Sequence, residues 1–460
     1  MKKIIPVLSF CLLLFSGQVL SQQKEWSLEE CVIYALENNI QIKQQGIQTQ
    51  YQQNALDLAK LNLLPAINGS ASHNYSFGRA LDQTTYLYTD NETILSDNFY
   101  VGGSLNLFNG LQNLNTIKRS RYDVLASIQD LENIRDNIAL NVALNYLQIL
   151  LNKEIVTATE NQLQITQQQI VKTRKLVEAG SVARGNLLQI EAQAAQEELQ
   201  LINIQNQFET SVLNITQLLE LPSPEGFAIV IPEIPLDTNT VISGNIREIY
   251  ETALGTRPEV KGSEYRLYSS EYDLKIAKGG RSPRLSLSNS FSTGYSDIRK
   301  KVLGIDPITG PIYGEYSFAD QINDNINYGI GLSLNIPILN GWKANKNVAN
   351  SKLGVESSRY ALEGTKKQLY KNIQQAYTDA VASLKKYAAS LKAVTSTEES
   401  LRYTEQKFNV GMVTPVDYNV AKTQLLKAQS DMSQAKYEFI FKTKVLDFYK
   451  GIPLNLNQSL

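Results

Sequence analysis

The chain has almost no histidine or cysteine, on which zinc sites and most hydrolytic triads depend. It has 1 histidine, His73, and 2 cysteines, Cys11 and Cys31. A hydrolytic triad would have to use His73, which stands beside no nucleophile motif, and there is no phosphate loop, no Cys/His ligand spacing and no glycine-rich dinucleotide turn. The expectation is therefore no enzyme, no metal and no cofactor. Charge of one sign is also lacking, with 44 Lys+Arg against 45 Asp+Glu. No basic run can neutralise a series of phosphates, which argues against nucleic acid as a partner. Beyond the first residues there is no apolar run of the length that a membrane helix needs. Any membrane crossing has to be made by strands, because only helices and closed barrels satisfy their backbone in lipid.

The start of the chain reads as a secretory signal over residues 1–21. Lys2 and Lys3 precede the mostly apolar Ile4 to Phe15, and small or polar residues follow to Ser21. Phe10 before Cys11 suits a lipoprotein cleavage site poorly, so no lipid anchor is expected. Removal of this segment leaves Cys31 alone, and no internal disulfide can form.

What is present is a tandem repeat. Gly411 follows Gly180 by 231 positions, Asn340-Gly341 follows Asn109-Gly110 by 231, and Pro453 follows Pro222 by 231. Nearer the start of each half the offset is 218, for Pro283 against Pro65 and for Ala253 against Ala35. The extra residues lie between Pro283 and Asn340. A fixed-offset echo decides architecture before any local reading. It divides the chain into a first repeat over 22–222, a proline-rich linker over 223–244 with Pro224, Pro232 and Pro235, a second repeat over 245–453, and a polar tail over 454–460.

Each repeat opens with helical periodicity. Leu28, Val32, Ala35, Leu36 and Ile40 share a side between Trp26 and Gln45, with Ser27 and Glu30 spaced as a capping box. The period resumes from Gln48 to Leu63, stops at Pro65, and then changes to two. Ile67, Ala71, Tyr75 and Phe77 alternate with Asn68, Ser70, Ser72 and Ser76, and Phe99, Val101, Leu105 and Leu107 continue the alternation after a polar loop that includes Asp82, Asp90, Glu92 and Asp97. The second repeat has Leu285, Leu287 and Phe291 among serines, then Ile326 to Ile336 alternating with Asn327, Gly329, Gly331, Ser333 and Asn335. These are β-hairpins over about 66–108 and 284–338. One face is apolar and the other is Ser, Asn and Gly, the pattern of an outer-membrane barrel. Four strands cannot enclose a lumen, so the barrel is shared between chains, as a dimer or a trimer.

Long helical hairpins follow over 111–221 and 342–450. Val142, Ile149, Val156, Leu163, Ile170 and Val177 recur every seventh residue, as do Ile373, Ala380, Tyr387, Val394, Leu401 and Phe408. A strict seven-residue repeat gives a left-handed coiled coil. A second stripe, Leu144, Leu151, Ala158 and Ile165, lets the first long helix touch a neighbour on its other side. The fold class is thus mainly α with a membrane β portion: a coiled-coil helical barrel plus four strands per chain.

The order and common offset of Leu64-Pro65, Leu107-Phe108-Asn109-Gly110, Ile338-Leu339-Asn340-Gly341 and the two tips, Val177–Asn186 and Phe408–Asp417, resemble the TolC-like outer-membrane efflux duct family from about Trp26 to Pro453. The resemblance implies a homotrimer with a twelve-stranded barrel in outer-membrane lipid and a helical tunnel through the periplasm. It also implies a periplasmic adaptor protein docked on the tips, linking the duct to an inner-membrane transporter. The duct would be passive and would export drugs, small molecules or peptides.

The family's docking motif falls on Gly180, Ser181, Val182 and Ala183, and on Gly411, Met412, Val413 and Thr414. Well-known members narrow the tunnel with aspartate rings just past the second tip. One such position is Asp417 here, the next is Val420, and the first-repeat position is Asn186, so the resemblance implies one acidic ring at most. Asp417 also reads as the third residue of a helix capped by Thr414 and opened by Pro415. Arg184 reads as a solvated charge, the alternative being a pair with Asp417 across a closed tip. Gly180 and Gly411 read as helix-ending glycines in the left-handed region. Competing readings are a periplasmic coiled-coil adaptor or tether without a barrel, which the serine-faced strands oppose, and an outer-membrane enzyme, which the want of histidine opposes.

Overall fold

The computed structural model describes residues 25–82, 86–232, 236, 242 and 245–452. The signal segment 1–21 with Cys11, Pro235 and Gly244 of the linker, Pro453 and the tail 454–460 lie outside the described residues.

In chain order the elements are β1 (Glu25–Trp26), α1 (Leu28–Asn38), α2 (Ile40–Leu61), β2 (Ala66–Gly78), β3 (Glu92–Phe108), α3 (Gln112–Glu178), α4 (Arg184–Leu218), β4 (Ala228–Ile229), α5 (Ile246–Thr256), α6 (Pro258–Gly279), β5 (Arg284–Ser296), β6 (Lys301–Asp306), β7 (Gly310–Gly314), α7 (Phe318–Asp324), β8 (Asn327–Asn335), α8 (Lys343–Asn409) and α9 (Pro415–Tyr449). The repeat is carried residue for residue: α3 and α8 each have 67 residues, and α4 and α9 each have 35.

The chain forms two compact units. Among the described residues, the first comprises 25–42, Arg135–Ala253 and 372–452. Its core is the heptad stripe. Val142, Ile149, Ile215, Ile373, Ala380, Phe439 and Leu446 are buried, and Tyr387 stacks parallel to Phe439 at 6.5 Å. The second stripe behaves differently, since Leu144 and Ile165 are exposed in the single chain. Ser27 and Glu30 form the capping box of α1. The helical pattern over Trp26–Gln45 is broken at Asn39, which takes extended backbone and is buried. Its side chain donates to Leu218 O (3.1 Å) and accepts from Gln41 N (2.9 Å), so hydrogen bonds that hydrophobic spacing does not encode end one helix and start the next. Within the linker, β4 pairs in parallel with β1, and Tyr146 Oη donates to Val230 O (2.6 Å).

The second unit comprises Lys43–Ile134 and Leu254–Lys371. Its sheet is antiparallel in the order β2-β3-β5-β8, so the hairpins of the two repeats lie side by side through β3 and β5. Along one row Gly69, Val101, Phe291 and Tyr328 are partners, and along the next row on the opposite face Asn68, Gly102, Ser290 and Gly329 are partners. The alternation read from sequence is therefore a true two-faced sheet, and its large residues face outward: Phe77, Ile330 and Leu332 are 79%, 85% and 65% exposed. β3 begins at Glu92, so Glu92 and Asp97 belong to a strand and not to the polar loop. Pairing with β2 as far as Gly78 extends the ladder beyond the alternating run. His73 is the rung partner of Asp97, and its Nδ1 lies at 2.5 Å from the carboxylate.

The extra residues of the second repeat form β6, β7 and α7. Helix α7 closes the edge of β5 where β8 ends. Gln321, fully buried, accepts from Ser296 N (3.0 Å) and donates to Ser296 O (2.9 Å), and Asn325 Nδ2 donates to Gly294 O (2.7 Å). A side-chain amide thus completes the ladder bonds that a further strand residue would have made. Among the described residues no helix is long and apolar enough to cross a membrane.

Strand meets helix through consecutive left-handed residues. Gly110 and Leu111 have φ of 69° and 62°, and Gly341 and Trp342 have 60° and 61°. At the first joint Gly110 and Gly279 are in backbone contact, and a Cβ on Gly110 would sit 2.3 Å from Gly279 O, whereas a Cβ on Gly341 would meet nothing within 4 Å.

Candidate functional site at the helix tips

Both tips lie in the first unit and are built by the same device. The amide of Ser181 donates to Leu176 O (2.9 Å) and that of Gly180 to Val177 O (3.0 Å). In the second tip Met412 donates to Lys407 O (2.9 Å) and Gly411 to Phe408 O (3.0 Å). This double bond closes a helix on a left-handed residue, and Gly180 and Gly411 have φ of 69° and 76°. No atom lies within 4 Å of where a Cβ on either glycine would stand, so both turns present bare backbone outward.

The return helices start differently. Thr414 Oγ1 accepts from Asp417 N (3.2 Å), while the Asp417 carboxylate accepts from Thr414 N (3.0 Å) and Thr414 Oγ1 (2.7 Å), a full capping box with Pro415 opening the helix. Those bonds, the side-chain one foremost, hold the Asp417 carboxyl below the usual aspartate value. Ala183 at the first tip has no side-chain cap.

The structure brings Val182 and Asn186 of the first tip together with Gly411, Met412, Val413, Thr414 and Asp417 of the second around one cleft of about 610 Å³. Gly180, Ser181, Ala183 and Arg184 do not line it and are exposed. Arg184 and Asp417 are not paired within the chain, and the Asp417 carboxylate is turned to Thr414. Val410, Met412 and Val416 stand 71%, 74% and 49% exposed around the second tip. The two hairpins are tied by Lys172 Nζ donating to Asn409 Oδ1 (3.0 Å), and Phe408 stacks on the buried Tyr418 at 5.0 Å.

Sequence reasoning missed a buried polar knot farther along the helices. Lys422 and Glu197 have side chains only 2% and 5% exposed, with Nζ and Oε1 3.9 Å apart. Thr166 lies between them: Lys422 Nζ donates to Thr166 Oγ1 (2.6 Å), and Thr166 donates to Glu197. Gln162 and Gln193 donate to Glu197 Oε1 at 3.1 and 3.0 Å. The knot joins α3, α4 and α9. Burial pushes the Lys422 ammonium below its ordinary value, and the Glu197 charge opposes that. The return helices also repeat every seven residues, through Leu187, Ala194 and Leu201 and through Tyr418, Leu425 and Met432, and the sequence signal of the knot was two charged residues three places beyond Ala194 and four beyond Tyr418, where a coiled coil wants apolar side chains.

The model of the family described as outer membrane efflux protein matches residues 33–220 and 249–441, one segment in each repeat. The chain belongs to the outer membrane efflux protein family. This efflux protein is 24% identical over 347 residues to outer membrane efflux protein BepC of Brucella suis, covering 74% of the chain and 67% of that relative. It is 22% identical over 443 residues to outer membrane protein TolC of Escherichia coli, covering 96% and 84%. The solved outer membrane protein VceC of Vibrio cholerae superposes with a TM-score of 0.74 at 16% identity, covering 93% of this chain and 97% of that one. The efflux protein is thus an outer-membrane channel with a periplasmic extension that exports substrates, and channels of this family are transport proteins without an enzymatic step. The reading as a periplasmic tether without a barrel is set aside by the family match.

Proposed function

We propose that this efflux channel works as a passive homotrimer whose tips receive the helical hairpins of a periplasmic adaptor, which couples it to an inner-membrane transporter. Drugs, small molecules or peptides are the cargo. The observation that carries the reading is the pair of bare glycine turns at Gly180 and Gly411, set beside exposed Val410 and Met412. An incoming helix needs close backbone approach and apolar surface, and both are present there. The docking set is Gly180, Ser181, Val182, Ala183, Gly411, Met412, Val413 and Thr414. The unpaired edges of β2 and β8 and the exposed Leu144 stripe support association with further copies.

Met412→Asp combined with Val410→Asp tests the docking. Adaptor recovered by cross-linking in the native envelope is expected to fall at least tenfold, while oligomer mass and outer-membrane content stay unchanged. Undiminished recovery removes the tips from the docking surface. Arg184, Asn186 and Asp417 are the constriction candidates, with Arg184 of one copy facing Asp417 of another as a latch. Arg184→Ala is then expected to raise single-channel conductance, and unchanged conductance and drug efflux remove the latch.

A further inference from the structure

The second strand-to-helix joint carries an unexplained excess of positive charge. Arg284 opens β5 and Lys343 opens α8, and both line one cleft of about 740 Å³ with Gln112, Asn340, Asn347 and Ser351. The cleft's one carboxylate, Asp273, is already engaged by Arg119 (3.2 Å). Arg281 stands three residues before Arg284, and Lys346 lies one turn along from Lys343. All four are exposed, and none has an ion pair among the described residues.

The repeat supplies an internal control. At the matching places of the first joint stand Leu63, Ala66, Gln112 and Asn115. The same turn of backbone is therefore built twice, once without these charges, so folding does not require them. Beside the cations the surface turns apolar. Ile338 and Leu339 are 94% and 84% exposed, and Trp342 is 67% exposed while held at a φ of 61°, a conformation that is strained for any residue but glycine. Apolar residues, then tryptophan, then lysine is the order in which a protein crosses from hydrocarbon to headgroup.

From this geometry we propose that the cleft holds the phosphate headgroup of an anionic phospholipid from the leaflet that faces the periplasm. The strand ends continuous with the helices face that side in an outer-membrane channel. Arg284 and Lys343 neutralise the phosphate, and Asn340, Asn347 and Ser351 supply neutral hydrogen bonds to its remaining oxygens. Trp342, Ile338 and Leu339 meet the glycerol and the first methylenes of the chains. The inference rests on the barrel, and the test separates the two.

The full-length protein is placed in nanodiscs of phosphatidylcholine with a minority of phosphatidylglycerol, and the lipids retained on ejection are identified by native mass spectrometry. Phosphatidylglycerol is expected to be retained over phosphatidylcholine. Arg281→Leu, Arg284→Ala, Lys343→Gln and Lys346→Asn install the first-joint residues, and each change is expected to lower that retention about fivefold. Lys343→Gln alone, on an exposed helix surface, carries the same test with about a fivefold loss if the fourfold variant does not insert. Millimolar inorganic phosphate is expected not to displace the lipid, because it lacks the apolar contacts. Retention equal in wild type and variant, or displacement by inorganic phosphate, overturns the proposal. Wild-type protein that enters no disc overturns the barrel instead.

Discussion

Asp417 is held by the residue three places before it, and its behaviour in acid follows from that. Its carboxyl titrates below the ordinary aspartate value because Thr414 donates to the charged form. The stabilisation is fully present above the unfolded value and is lost as pH falls through the lower folded value. The first turn of α9 is therefore expected to lose amide protection below about pH 4. Hydrogen exchange at Asp417 N–H and Tyr418 N–H measures this, and Asp417→Asn is expected to flatten the pH dependence. Lys422 and Glu197 make a second test at this scale. Lys422→Met strands a buried carboxylate and is expected to cost about 3–5 kcal/mol. Pairing Lys422→Met with Glu197→Gln is expected to recover most of it. Thermal unfolding of the four members of that cycle in detergent reads the coupling, and additivity within about 0.5 kcal/mol would dissolve the knot as a unit.

At the scale of elements, α7 exists to finish β5. Gln321→Leu leaves Ser296 N without its partner and takes from Ser296 O one of its two donors, Arg299 N (3.2 Å) remaining, at a cost of about 1–3 kcal/mol. The outer loop is then expected to become a proteolytic site between β6 and β8, and limited proteolysis of intact cells checks it. The sequence showed that this loop was longer than its first-repeat counterpart but carried no periodicity from which a strand-mimicking amide could be read. The same blindness explains the break at Asn39 and the β1–β4 pair, both set by hydrogen bonds between residues far apart in the chain. Where one periodic force acts along many residues, legibility was high. The heptads stop at Val177 and Phe408, one residue short of the C-terminal ends of α3 and α8, and the Thr-Pro-x-Asp spacing announced the cap of α9. The tips were legible as turns because glycine marks them, but the cleft that gathers Val182, Asn186 and Asp417 is a product of folding, and nothing local encodes it.

At the scale of the molecule, the sheet is incomplete by itself. Four strands leave β2 and β8 as edges, and one face exposes large apolar residues that water does not tolerate in such density. Deletion of Ile326 to Ile336 removes β8 together with one edge. Loss of both outer-membrane insertion and the oligomer is expected, and envelope fractionation with native mass in mild detergent decides it. A deletion variant that still inserted as an oligomer would mean that the barrel closes without β8.

The equality of the two hairpins carries a further consequence, for how such a chain can change over generations. With 67 residues in each outgoing helix and 35 in each return, neither repeat can gain or lose a heptad alone without setting its turn about 10 Å out of step with the other. Insertions are free only where no partner keeps count, and the second repeat's surplus lies in the β5–β8 loop. Indels along the helices are expected only as matched pairs, while the loop drifts in length on its own.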